Sequence, residues 1–198
     1  MLAIAPAVAQ TPLPALRIEP TDGGSIFYIK NPATQPLTAY LIELVNYPGS
    51  SYALWQDDIA GEPIAPGGER RTPISNMTVG AVPDYVKMQA AIYADGSTAG
   101  IPEKVTQLIG RRRAVLAATR EAIQRLEKGQ TVADLRQWSE GMPPISRAQR
   151  NSQAAIDQGA AKGVITETAG KINSSGTEGA LAWLRAREKA LAASKPAL

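Results

Sequence analysis

Every tyrosine and the single phenylalanine of this 198-residue chain fall before residue 94, and the stretch beyond residue 101 is dominated by Ala, Arg, Gln and Glu. Aromatic and β-branched side chains favour a pleated, half-buried surface, whereas Ala, Arg, Gln and Glu are strong helix formers. Such a switch predicts an α+β protein: an antiparallel β-sandwich over residues 10–101, then an α-helical region over 102–198 with one long helix. A chain of this length can hold two small parts, each with its own core.

Charge divides at the same place. Up to Ile101 there are five Lys or Arg against nine Asp or Glu, net −4; from Pro102 onward there are sixteen against nine, net +7. Opposite halves either dock on one another or present a basic surface to an acidic partner, because a net field steers association without dictating fold. Cysteine and histidine are both absent. Disulfides, thiolate metal sites, histidine-ligated zinc and Ser-His-Asp or Cys-His catalysis are therefore excluded.

The opening "MLAIAPAVAQ" closes on Ala7-Val8-Ala9, the pattern of a secretory cleavage site, so residues 1–9 read as the remnant of a signal peptide and the protein as exported. No later stretch reaches the roughly 18 apolar residues that a membrane helix requires.

Between residues 16 and 99, β-rich runs alternate with turn residues. Strands are expected at 16–19, 25–30, 37–46, 52–56, 69–75 and 85–94, with a seventh near Ser97. In "YVKMQAAIYADG" strict alternation puts Val86, Met88, Ala90 and Ile92 on one face and Lys87, Gln89, Ala91 and Tyr93 on the other. Asp95-Gly96 then suits a two-residue type I′ hairpin, which is the commoner use of such a pair than a metal-binding or catalytic aspartate.

"SIFYIKNPATQPLTAYLIEL", with Asn31-Pro32 and Pro36-Leu37-Thr38, and "IAPGGE", Ile64 to Glu69, resemble the corresponding strands and Pro-Gly turn of immunoglobulin-like or fibronectin type III-like modules of secreted bacterial proteins. The likeness spans about 85 residues. It implies a sandwich and, by association, an adhesive, structural or partner-binding role. The cysteine pair of antibody domains is missing, so Trp55 has no disulfide to pack against.

Pro102 suits a first helical position and Glu103 the positive helix end, so a long helix is expected from about 102 to before Gly129. Val105, Leu108, Ile109, Val115, Leu116, Thr119, Ile123 and Leu126 form its apolar stripe. Within "GRRRAV", Arg111, Arg112 and Arg113 fan around the helix rather than making one flat patch. Arg112 falls inside the stripe, which predicts burial and an acid partner: Glu43, Asp57 or Asp58. Glu121 and Arg125 form an i to i+4 pair.

Thr131 and Asp134 predict the cap of a short helix carrying Leu135 and Trp138, stopped near Gly141. Ser146 and Gln149 suggest a second capping box opening a helix over 147–172, in which Gly159 and Gly163 would permit close helix packing. Asn173-Ser174-Ser175-Gly176 reads as a loop, after which Thr177 caps a last helix with Ala180, Trp183, Leu184 and Leu191 on one face.

No phosphate loop, nucleophile elbow or metal helix occurs, so no catalytic, cofactor-binding or metal-binding residue is named and no cofactor is expected. A carboxylate-only hydrolase or calcium site would have to be built from Asp57, Asp58, Glu62, Asp84 and Asp95. Nucleic acid is not expected as a partner, because no aromatic platform lies between Tyr93 and Trp138. The leading expectation is a non-catalytic exported interaction or structural protein, a subunit of a self-associating assembly, with Arg111, Arg112, Arg113, Trp138 and Trp183 as partner-binding candidates. The alternative is a carbohydrate-binding or cell-wall-binding module.

Overall fold

A computed structural model describes residues 11–47, 52–75, 83–150 and 152–198. The apolar start of the chain, residues 1–10, lies outside the described residues.

Seven antiparallel strands form two sheets: β1 (Ala15–Thr21), β2 (Gly24–Lys30), β3 (Leu37–Leu44), β4 (Ala53–Asp57), β5 (Glu69–Ser75), β6 (Val86–Tyr93) and β7 (Thr98–Gly100). One sheet runs β1-β2-β5 and the other β4-β3-β6-β7. Phe27, Ile29, Leu37, Tyr40, Ile42, Val86, Ala91 and Tyr93 build the shared core. Trp55 is half-buried outside this cluster. An edge-to-face pair of Phe27 and Tyr52, 6.4 Å between centroids, supplies its aromatic contact.

The expected alternation along β6 breaks in the middle. Leu41 pairs with Ala90 and Ile42 with Met88, leaving Gln89 as an extra, bulged residue. A bulge shifts the pleat by one residue and flips every side chain after it. Val86 and Met88 therefore face the sandwich core before the bulge, and Ala91 and Tyr93 face it afterwards. Ala90 and Ile92 turn to the opposite face, where they too are fully buried.

The Asp95-Gly96 turn also differs from expectation. Tyr93 and Ser97 close a three-residue loop, with the Tyr93 N–H donating to the Ser97 carbonyl at 2.9 Å. Only Gly96 has a positive φ, 91°. A type I′ turn needs positive φ at both central residues, so this is instead a turn whose third position is left-handed. The Asp95 carboxylate accepts from the Ser97 N–H and hydroxyl at 2.9 and 2.7 Å, which makes it a turn-holding group.

The Asn31-Pro32 stretch and the Pro-Gly turn within residues 64–69 are bonded to each other. Fully buried Asn31 donates from its side-chain amide to the carbonyls of Gln35 and Ile64, at 2.8 and 2.9 Å. Its backbone N–H donates to the Gly68 carbonyl and its own carbonyl accepts from Gly67. Leu37 and Ile64 exchange two backbone hydrogen bonds alongside.

Among the described residues three α-helices follow: α1 (Pro102–Glu127), α2 (Val132–Glu140) and α3 (Gln153–Ala192). Beyond α1 the Gly129 N–H donates to the Leu126 carbonyl and the Gln130 N–H to the Arg125 carbonyl, the paired bonds of a Schellman ending. Thr131 and Asp134 form the expected capping box on α2. Ser146 and Gln149 frame only one 3₁₀ turn, and α3 starts later, with Ser152 accepting from the Ala155 N–H at 3.2 Å.

Residues 173–175 are helical rather than looped, and the break in α3 is Gly176 alone, at φ 71° and ψ 175°. The chain reverses there. Glu167 is ion-paired with Arg187 and the Lys171 ammonium lies over the Trp183 ring, so residues equally spaced about 177 meet, which only an antiparallel hairpin of the two halves allows. Val115, Leu116, Ala122, Leu126, Leu135, Val164, Ala180 and Leu184 form the helical core. A Cβ added at Gly159 or Gly163 would meet nothing, so these glycines mark no close packing within the chain.

Two compact units result: residues 1–56 with 63–105, and residues 57–62 with 106–198. The acidic 57–62 segment, which leaves the first unit after β4, belongs with the helices. Counted by unit, the first carries six Lys or Arg against seven Asp or Glu, net −1, and the second fifteen against eleven, net +4. Most of the charge contrast read along the chain is thereby cancelled within the helical unit itself.

No backbone of an L-residue rests easily at the Gly176 angles, and a side chain there would gain no contact. Gly176→Ala is expected to cost about 1–3 kcal/mol of stability in urea denaturation, through backbone strain alone. Burial pushes the Tyr93 hydroxyl up to about 12, and it donates to the Pro12 carbonyl at 2.5 Å. Because the folded value lies above the unfolded one of about 10, this contribution is complete below pH ~10 and lost as pH rises through ~12. Tyr93→Phe should remove that part of the alkaline loss, as measured by denaturant melts against pH.

Candidate functional site

The partner-binding candidates of α1 separate sharply. Arg112 is fully buried, as its place in the apolar stripe requires. Its Nε donates to Asp57 Oδ2 at 2.7 Å and its Nη2 to Asp57 Oδ1 at 3.0 Å, a two-point fork. Its Nη1 donates to the Lys195 carbonyl at 3.1 Å. Asp57 Oδ1 further accepts from the Ile59 N–H at 3.2 Å, and Ile59 packs on the helical core. Glu43, another of the three candidates, instead holds Lys104 at 2.7 Å. Arg112 is consumed inside the helical unit and offers nothing to an external partner.

Arg113, one step on, is exposed. Arg111 lies between these extremes, half-buried. Burial pulls its guanidinium below the ordinary arginine range; Asp57 and Glu167 oppose this, and Arg187 adds to it. The group stays charged throughout the physiological range.

Both tryptophans are half-buried against the helical core and each carries a cation on its ring. Arg125 stacks over Trp138 at 4.5 Å from the centroid, and Arg187 over Trp183 at 5.1 Å. Arg125 is also ion-paired with Glu121 at 2.8 Å, as its i to i+4 spacing predicts. Beside Trp138 a polar depression of about 280 Å³ is lined by Arg125, Gln130, Asp134, Gln137, Trp138 and Gly141. Sequence reading found Trp138 but not its company, which comes from the end of α1, the turn after it, and α2 with its C-cap Gly141.

The five acids proposed for a hydrolase or calcium site have different surroundings. Asp57 holds Arg112, Asp58 is buried, and Asp95 is held in its turn, while Glu62 and Asp84 are exposed. No group of three or more His, Cys, Asp or Glu among the described residues is placed to hold a metal ion. No helix among them is long and apolar enough to cross a membrane. The Lys195 carbonyl, which accepts from Arg112, left no trace in the sequence because every residue carries one.

Comparison with known proteins gives no match to a family model, to a curated protein or to a solved structure.

Truncating one member of a buried ion pair leaves the other charge desolvated and alone. Arg112→Ala is expected to cost about 3–5 kcal/mol in chemical denaturation, and the double change Asp57→Leu, Arg112→Met should recover most of that loss because it removes both charges.

Proposed function

We propose that the protein is a non-catalytic, exported interaction or structural protein that associates with further copies of itself. The observation that carries this reading is how its ionisable side chains are used. Asp57, Glu43, Glu121, Glu127, Glu167 and Glu188 each hold a cation of the fold, and the Asp134 carboxyl is kept below the usual range by hydrogen bonds from the Thr131 backbone and hydroxyl. A carboxylate engaged in this way is a poor general acid or base, since its proton affinity is set by its structural partner.

Export is supported by the Ala7-Val8-Ala9 pattern. An immunoglobulin-like or fibronectin type III-like character of the sandwich is supported by its strand order. In constant-type immunoglobulin domains the fourth strand joins the sheet of the first, second and fifth. Here β4 pairs beside β3, which leaves the fibronectin type III-like variant as the nearer likeness.

A second reading, carbohydrate binding, is favoured by one observation. The depression beside Trp138 combines an indole with two amides, a carboxylate and a guanidinium, groups suited to paired hydrogen bonds with hydroxyls. It sits on the helical unit rather than on the rings of the sandwich.

Light scattering of the full chain over a range of protein and salt concentrations tests the first reading. Mass rising above the monomer with concentration is the expected result, and a monomer at every condition overturns self-association. Retention on peptidoglycan or common polysaccharides that is abolished by Trp138→Ala would transfer the function to the second reading. Turnover of glycoside or ester substrates abolished by a carboxylate substitution would overturn both.

A further inference from the structure

Asp134, Gln137, Trp138 and Gly141 stand at i, i+3, i+4 and i+7, so one face of α2 with its C-cap lines the depression beside Trp138, and Arg125 and Gln130 complete the lining. The polar groups gathered there are unevenly used. Arg125 Nη1 donates to Gln130 Oε1 at 3.2 Å, and Arg125 Nε lies 2.8 Å from Glu121 Oε1 without the alignment of a hydrogen bond. Arg125 Nη2, the Gln130 side-chain nitrogen, the Gln137 amide and the Trp138 indole N–H have no partner among the described residues, and none of them is sealed from solvent. Asp134 supplies an acceptor. Both bonds that its carboxylate receives from Thr131 fall on Oδ2, at 2.7 and 2.8 Å, which leaves Oδ1 open.

Two features decide what can bind. Arg125 lies over the Trp138 ring, 4.5 Å from its centroid, so that face of the indole is taken and recognition falls to hydrogen bonds rather than stacking. Arg125 and Asp134 are the charged residues of the lining, and Arg125 already faces Glu121. An ionised carboxylate accepts and never donates, so a ligand has to bring a proton to Oδ1 while offering oxygens to the surrounding donors. A sugar hydroxyl does both at one atom. A carboxylate of an acidic sugar would instead set oxygen against oxygen and charge against like charge.

We propose that this depression is a subsite for one ring of a neutral, polyhydroxylated sugar chain, in which Asp134 accepts from a hydroxyl, Arg125, Gln130, Gln137 and the Trp138 N–H donate to neighbouring oxygens, and acidic sugars are refused. Its volume of about 280 Å³, just below the range of pockets that bury a drug-sized ligand, matches a single ring of such a chain. The inference rests on the carbohydrate reading of this depression and adds the ligand class and the residue that sets it.

Calorimetric titration of the full chain with cellotriose, maltotriose, mannotriose and chitotriose as neutral sugars and trigalacturonate as the acidic one tests it. At least one neutral sugar should bind, and trigalacturonate should bind at least about threefold more weakly, the effect of like charges at a partly exposed site. Gln137→Ala, which removes no hydrogen bond of the fold, should unfold at the wild-type denaturant midpoint and weaken the neutral sugar by about three- to tenfold. Arg136→Ala, exposed on α2 outside the lining, should leave affinity unchanged. Asp134→Asn keeps one oxygen for the Thr131 bonds and turns the open position into an N–H donor, so it should raise the affinity for trigalacturonate.

The inference is overturned if no neutral sugar binds, if Gln137→Ala and Arg136→Ala lose affinity equally, if trigalacturonate binds as tightly as the neutral sugars, or if Asp134→Asn leaves its affinity no higher. The first outcome removes the carbohydrate reading as well. The other three leave carbohydrate binding in place and remove only this site or its selectivity.

Discussion

A guanidinium and a carboxylate with almost no contact with water organise the helical unit. The Arg112 side chain has no exposed surface and Asp57 keeps 11% of its own, so each would be very costly to bury without the other. Their two-point contact, completed by the Lys195 carbonyl and the Ile59 N–H, brings together the first half of α1, the end of the chain and the 57–62 segment. That segment leaves a strand and rejoins a sandwich, yet it packs its Ile59 into the helical core. The ion pair is the physical reason that six residues of the β region belong with helices some fifty residues later.

A comparable economy holds in the sandwich, where Asn31 satisfies its side-chain donors and its main chain against residues 35 and 64–68. Buried amides are tolerable only when so satisfied. In the helical unit the same constraint takes another form: α3 must reverse direction between two buried faces, and one glycine in a conformation closed to other residues does it. Glu167 with Arg187, and Lys171 over Trp183, then close the hairpin from outside.

Among the half-buried arginines of the helical unit, Arg125 and Arg187 are ion-paired and Arg111 has no ion pair with a described residue. Its neighbours on α1 have opposite fates, Arg112 buried and paired, Arg113 exposed, because successive helical residues point about 100° apart. Arg111 is left at the boundary, half-buried, and burial pulls its guanidinium below the ordinary arginine range while Asp57 and Glu167 oppose that shift. The charge surplus of the helical unit is smaller than a count along the chain suggests, and part of it is concentrated at one half-buried group.

Local signals in the sequence determined the class of fold, the number of strands, the extent of α1 with its glycine ending, the capping box of α2 and the burial of Arg112. Each depends on residues within a few positions of one another, where periodicity and cap chemistry act. Tertiary structure alone decided the rest. Which acid met Arg112 depended on whether residue 43, 57 or 58 came within reach, and three-dimensional placement gave Glu43 to Lys104. The faces of β6 were set by a bulge at Gln89, which no local pattern marks because its cause lies in the register with β3. The reversal at Gly176 reads as a loop in the sequence, since a single residue with positive φ leaves flanking helices intact. Pairing between charges distant in sequence is decided only once the chain has folded.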